Sequence, residues 1–142
     1  MIELTGTEVE KLIRKAEEML AFAYTPYSGF KVGAALLAAD GSVYGGCNIE
    51  NASFTPANCA ERTAFFKAVS EGKRAFRAIA IVGGKNGIQI GECAPCGVCR
   101  QVMREFCDPD TFLVITKAGP DDYRVRTLKD YLPLSFGPEN LL

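Results

Sequence analysis

The chain has 142 residues, 48% of them apolar, enough to bury the core of a single domain over residues 1–142 and too few for two. Its 16 basic and 17 acidic side chains leave a formal charge of -1, so no electrostatic field favours a polyanion, and nucleic acid is not an expected partner. The absence of histidine excludes Ser-His-Asp and Cys-His catalysis and any imidazole-ligated zinc. Proton transfer near neutral pH is left to a carboxylate of raised pKa, a lysine of lowered pKa, or metal-bound water.

Six cysteines suit either three disulfides or a metal site. The opening Met1-Ile2-Glu3-Leu4-Thr5 carries an acid, with neither a basic n-region nor an apolar h-region. A cytoplasmic, reducing setting is therefore expected, in which clustered cysteines serve metals or catalysis rather than bridges. No apolar run approaches the ~20 residues of a membrane span.

Val9, Leu12, Ile13, Ala16, Leu20 and Ala23 recur at helical spacing and form one apolar stripe. Thr7-x-x-Glu10 is the expected capping box, and Thr25-Pro26 stops the helix near Tyr24. A strand is expected over 30–39, then a two-residue hairpin turn at Asp40-Gly41 and a return strand over 42–47. Gly33, Ala34 and Ala35 leave room for a helix, or a neighbouring subunit, to come close. Phe30 stands where strand and loop meet, and core packing is its plainest reading. Residues 48–58 form a polar link longer than most α/β connections, and such links tend to carry function. Asn48 and Glu50 are alternate residues, so in an extended segment both face one way and can bind adjacent hydroxyls of a sugar. Ordinary turn chemistry accounts equally for the asparagine.

A helix is expected over 59–71 with Gly72 as its stop, then a buried strand over 76–82 and a loop over 83–94. A helix over 96–106 and a buried strand over 111–116 follow. A turn at 119–122 leads to a short strand at 123–126 and to Thr127, which caps a last helical turn over 128–132; the tail, 133–142, reads as irregular and contains Phe136, Leu141 and Leu142. This α-β-β-α-β-α-β order, with a small strand and helix appended, implies a mixed sheet covered by helices on both faces.

Cys96 and Cys99 lie three apart at a helix start, face the same way, and suit two ligands of one tetrahedral ion. Cys59, at the start of another helix, is the candidate third. Cys93-x-x-Cys96 is a competing spacing, but Pro95 holds the chain extended just before the helix and favours the later pair. Three thiolates leave the fourth zinc position open, as catalytic sites do, and Glu61 stands two residues past Cys59. The helix dipoles favour thiolate over thiol. Arg62 and Arg100 are placed to hydrogen-bond the thiolates and draw charge from sulfur, although solvated surface arginines fit the same positions. A closed four-cysteine zinc knuckle and a redox dithiol stay open as readings; the first has no use for Glu61, the second none for Cys59.

Cys59-Ala60-Glu61-Arg62 and Pro95-Cys96-x-x-Cys99-Arg100-Gln101 closely resemble the zinc signature of the cytidine deaminases, the short homo-tetrameric type above all. Pro26-Tyr27-Ser28-x-Phe30-x-Val32-Gly33-Ala34-Ala35, Gly46-Cys47-Asn48-Ile49-Glu50-Asn51-Ala52 and Leu132-Pro133-x-x-Phe136 extend the resemblance over nearly the whole chain. It implies a three-layer α/β/α fold with a mixed, mostly five-stranded sheet, and a cytoplasmic homotetramer of pyrimidine salvage. It further implies one zinc per subunit on Cys59, Cys96 and Cys99, with Glu61 as proton shuttle. Phe30, Asn48, Glu50 and Ala60 belong to the implied substrate site, with Asn48 and Glu50 at the ribose; Phe136 would reach in from a neighbouring subunit to stack near the base. The implied reaction is hydrolytic deamination of cytidine and deoxycytidine, in which zinc-activated hydroxide attacks C4 and Glu61 carries the protons. Phe54 departs from the tyrosine that relatives often carry, and Cys93 and Cys107 have no family role and are expected to be structural. Two rival functions are deamination of another aminopyrimidine such as blasticidin S, which the Asn48 and Glu50 pair disfavours, and a zinc-stabilised interaction module, which Glu61 disfavours.

Overall fold

A computed structural model describes residues 3–89 and 91–142. Met1 and Ile2, in the segment read for a leader, and Ile90, in the expected 83–94 loop, lie outside the described residues. Helix α1 (Gly6–Met19) is capped by Thr5, whose hydroxyl accepts from the Glu8 amide while the Glu8 carboxylate accepts from the Thr5 amide. The box is therefore Thr5 with Glu8, not Thr7 with Glu10. Both pairs have the right spacing, but only Thr5 keeps the extended backbone that a cap requires. A 3-10 turn, Leu20–Phe22, closes the helix ahead of Thr25-Pro26.

Strands β1 (Phe30–Ala38) and β2 (Val43–Cys47) form the expected hairpin, but the loop between them has four residues, 39–42, rather than two. The Ala38 amide bonds to the Ser42 carbonyl, and Gly41 takes φ +91, the left-handed conformation such a loop needs. Strand β3 (Phe76–Lys85) pairs antiparallel with β1, β4 (Leu113–Gly119) parallel with β3, and β5 (Asp122–Thr127) antiparallel with β4. The result is one mixed sheet in the order β2-β1-β3-β4-β5. Strand β3 outruns its expected end at 82 because Val32, Lys31 and Phe30 of β1 supply partners as far as Lys85. Strand β4 begins at Leu113 rather than 111, since the Phe112 amide is held by the Asp108 carbonyl, and it runs on to Gly119 along its ladder with β5.

Alternation along β1 divides the core between the two faces. Ala35 and Leu37 pack with Val9, Leu12, Ile13 and Ala16 of α1. Ala34, Leu36 and Ala38 pack with α2 (Ala60–Ser70) and α3 (Gly97–Phe106), around Phe65 and Met103. The short α4 (Leu128–Tyr131), capped by Thr127 as expected and with the Asp130 carboxylate accepting from the Thr127 amide, adds Leu128 to that second layer. A Cβ on Gly33 would overlap the Ala16 carbonyl, so the small-residue stretch of β1 admits α1 of its own chain; Ala34 and Ala35 are wholly buried and leave nothing there for a neighbouring subunit. No helix among the described residues is long and apolar enough to cross a membrane.

Candidate active site

Cys59 and Cys96 are the N-cap residues of α2 and α3, each in extended backbone, and Cys99 lies one turn into α3. Gly46 makes this convergence possible: a Cβ there would overlap the Ala60 carbonyl and stand 2.7 Å from the Ala64 amide nitrogen, so only glycine lets the start of α2 settle on β2. The Sγ atoms of Cys59, Cys96 and Cys99 lie within 4.8 Å of one another, and no other such cluster occurs among the described residues. Two thiolates on one tetrahedral zinc, each at about 2.3 Å, stand roughly 3.8 Å apart. Cys59 Sγ and Cys96 Sγ are 3.7 Å apart, so the site fits the ion in donor type and in span.

All six cysteines are free thiols. The neighbouring Cys99 thiol first, and then the Arg62 guanidinium, hold Cys59 well down, to about 5; the closeness of Cys59, together with burial, holds Cys99 high. Arg62 Nη2 donates to Cys59 Sγ at 3.3 Å, as expected. Arg100 does not touch a thiolate. It follows Cys99 directly, so the helix turns its side chain away, and Nε donates to the Pro95 carbonyl at 2.7 Å while Nη1 donates to the Tyr131 carbonyl at 2.7 Å. The expected thiolate contact of Arg100 is thus replaced by a brace on the turn that presents Cys96.

Glu61 is 4% exposed, and burial pushes its carboxyl up to about 7, the nearby Cys59 thiolate adding to the effect. It lines a cleft of about 360 Å³ together with Phe30, Asn48, Glu50, Cys59, Ala60, Arg62 and Cys96. Nearly the whole set expected from the sequence therefore converges on one cavity. Cys99 lies buried behind it, and Arg100 and Phe136 stand outside its walls. Phe136 is 57% exposed in the tail, where Gln101 Nε2 donates to its carbonyl at 2.9 Å.

Asn48 is more than a turn residue: its Oδ1 accepts from the Val32 amide at 2.8 Å and its Nδ2 donates to the Phe30 carbonyl at 2.8 Å, which ties the link to β1. Glu50 accepts from the amides of Tyr27 and Ser28, at 2.9 and 3.1 Å, and from the Ser28 hydroxyl. The Ser28 bonds, the hydroxyl first, hold its carboxyl below the usual range and keep it charged. Ser28, Val32, Asn58 and Cys93 also line the cleft, beyond the substrate and metal residues expected from the sequence. Asn58 abuts the first ligand in sequence and Ser28 lies in the Pro-Tyr-Ser run, but for Cys93 only the competing Cys-x-x-Cys spacing gave a sign. Burial pushes the Cys93 thiol up to about 11, and its Sγ is not among the three that converge. Cys107 packs in the core below α3, as expected.

Three thiols and a buried carboxylate, joined at two helix N-termini on one edge of an α/β/α sandwich, define a zinc hydrolase of the deaminase class. The family described as "Cytidine and deoxycytidylate deaminase zinc-binding region" matches residues 7–115. A cytidine deaminase of Sporosarcina psychrophila is 48% identical over 134 residues, 94% of this chain and 95% of the relative; that of Halalkalibacterium halodurans is 47% identical over 132 residues, 93% and 96%. The crystal structure of cytidine deaminase from Burkholderia pseudomallei superposes with a TM-score of 0.83 at 47% identity, covering 94% of this chain and all of that one. That from Mycobacterium tuberculosis gives 0.75 at 40%, covering 90% and 96%. The chain belongs to the cytidine and deoxycytidylate deaminase family, and its cofactor is one zinc ion per subunit, held by the Cys59, Cys96 and Cys99 cluster.

Proposed function

We propose that this chain is a cytidine deaminase, a hydrolase of the exocyclic C–N bond of cytidine and deoxycytidine, formed by one domain over residues 1–142. The observation that carries the reading is Glu61, buried beside three converging thiols and opening onto a cleft of nucleoside size. Zinc, when bound, supplies Lewis acidity that brings a water within reach of deprotonation near neutral pH.

The remaining chemistry belongs to side chains of this chain. Burial holds the Glu61 carboxyl above the usual carboxylate range, so it can take a proton from the attacking water and return it to N3 of the ring. A second proton, from the new hydroxyl on C4, passes through the same carboxylate to the exocyclic nitrogen; the C4–N4 bond breaks, ammonia leaves, and a carbonyl remains at C4, giving uridine. Arg62 offsets the charge of the thiolates by its bond to Cys59. Phe30 walls the cleft, and Ala60, wholly buried, leaves space above the start of α2. Asn48 and Glu50 are each pinned by backbone partners while facing the cleft, which orients their remaining lone pairs and N–H for the ribose hydroxyls.

Phe136 is exposed in the tail and stands outside the walls of its own cleft, and this supports a homotetramer in which it completes a neighbour's site. Six free thiols support a cytoplasmic setting. The test is the fall in cytidine absorbance, with ammonia release, on adding the purified zinc-loaded protein. Stoichiometric zinc without turnover of cytidine or deoxycytidine would sink the substrate reading and leave the metal reading standing.

A further inference from the structure

The segment that carries Cys96 into the site, residues 91–95, has no regular structure, and among the described residues no backbone–backbone hydrogen bond ties it to the chain around it. Cys93, Ala94 and Cys96 nevertheless form one wall of the cleft. Side chains hold this wall at two points. At one end, a single carboxylate oxygen of Glu92 accepts from the hydroxyl of Thr116, wholly buried in β4, at 2.6 Å and from Arg126 Nη1 of β5 at 2.7 Å. At the other end, Arg100 grips the Pro95 carbonyl.

Both anchors run to Tyr131 of α4. Arg126 Nη1 also donates to its hydroxyl at 3.2 Å, and the guanidinium carbons of Arg100 and Arg126 lie 5.0 and 5.9 Å from its ring centre. Glu92, Arg126, Tyr131 and Arg100 thus form a closed path that starts and ends on one unpaired stretch of backbone. We propose that Glu92, Arg126 and Tyr131 are positioning residues, which set the place of the Cys96 thiolate and of the Cys93–Ala94 wall from the far edge of the sheet. The proposal rests on the metal reading of the three thiols and makes no use of the substrate.

The experiment compares zinc-loaded parent, Glu92→Gln, Arg126→Met, their double variant and Tyr131→Phe, the last removing a single hydroxyl should Arg126→Met fold poorly. Zinc transfer to a chelating dye is timed, and the thiolate-to-metal charge-transfer band is recorded after cobalt substitution. Val125→Gly, which weakens the same edge strand without touching Glu92, is the control. The expected result is zinc transfer about tenfold faster and a shifted cobalt band in each single variant, since supports behind a ligand typically govern 10–100-fold of metal affinity. The double variant should be no faster than the faster single one, because the two groups serve one linkage. Parent rate and band in all the single variants would overturn the proposal, as would equal acceleration in Val125→Gly. A parent without stoichiometric zinc would overturn the metal reading and the relay with it.

Discussion

Replacing Glu61 with glutamine keeps the size of a 4%-exposed side chain but removes its ability to take up and return a proton. The expected outcome is retained zinc and fold with turnover down by at least about 10²–10⁴-fold, the usual worth of acid–base catalysis. Steady-state rates beside metal analysis check this, and activity within tenfold of the parent would assign the proton to another group. The thiols divide in the same way. Cys59→Ala, Cys96→Ala and Cys99→Ala should each lose stoichiometric zinc, whereas Cys93→Ala and Cys107→Ala should retain it, because neither sulfur joins the converging cluster. Zinc lost from Cys93→Ala would mean that Cys93-x-x-Cys96 is the true pair.

Helices α1 and α2 meet the sheet through glycines with different consequences. At Gly33 an added Cβ overlaps the Ala16 carbonyl in the last turn of α1, which packs on the face of the sheet opposite α2 and α3. Gly33→Ala should therefore destabilise by about 1–3 kcal/mol or more, the cost of overpacking, while zinc content per folded chain stays unchanged. At Gly46 the overlap falls on Ala60 and Ala64, the first turn that positions Cys59 and Glu61. Gly46→Ala should lower zinc affinity and turnover as well as stability. Urea unfolding and zinc titration of the two variants separate the cases; equal zinc affinity in both would show that the start of α2 adapts without cost.

The tail packs on α3 through Arg104, which donates to the Ser135 hydroxyl at 2.8 Å and pairs with Glu139, and through Gln101 at the Phe136 carbonyl. The backbone of the tail is thereby set while the rings and aliphatic side chains of Phe136, Leu134 and Leu141 face outward, as Phe22, Tyr24 and Phe54 do elsewhere. So much exposed apolar surface suits burial between subunits. Phe136→Ala should raise KM for cytidine with zinc content intact, since stacking a base on an aromatic ring is worth about 1–3 kcal/mol. Chains carrying Glu61→Gln and chains carrying Phe136→Ala, unfolded and reassembled together, should regain at low cytidine concentration, where Phe136→Ala alone is slow, some sites in which an intact Glu61 meets a neighbour's intact Phe136. A fully active monomer by light scattering would exclude a shared site.

What could be read along the chain was whatever depends on near neighbours in it. Cys96 and Cys99 share one face because of helical spacing, Glu61 follows Cys59 into the same first turn, and Thr127 caps α4 directly ahead of its first residue. The α-β-β-α-β-α-β order and its two-faced packing follow from apolar periodicity in the same way. Strand ends did not follow, because β3 continues to Lys85 only where β1 lies beside it, and β4 to Gly119 only along β5. The partners of Arg100 and Asn48 are likewise distant in sequence, Tyr131 for one and Val32 for the other, and no local pattern announces them. Nor does any local pattern say that Gly33, Ala34 and Ala35 are spent on the chain's own core, or that Glu92 meets Thr116 and Arg126. Ligand type and spacing are properties of one helical turn, and they were legible. The span between two turns 37 residues apart, and the burial that raises the pKa of Glu61, exist only once the sheet brings α2 and α3 together.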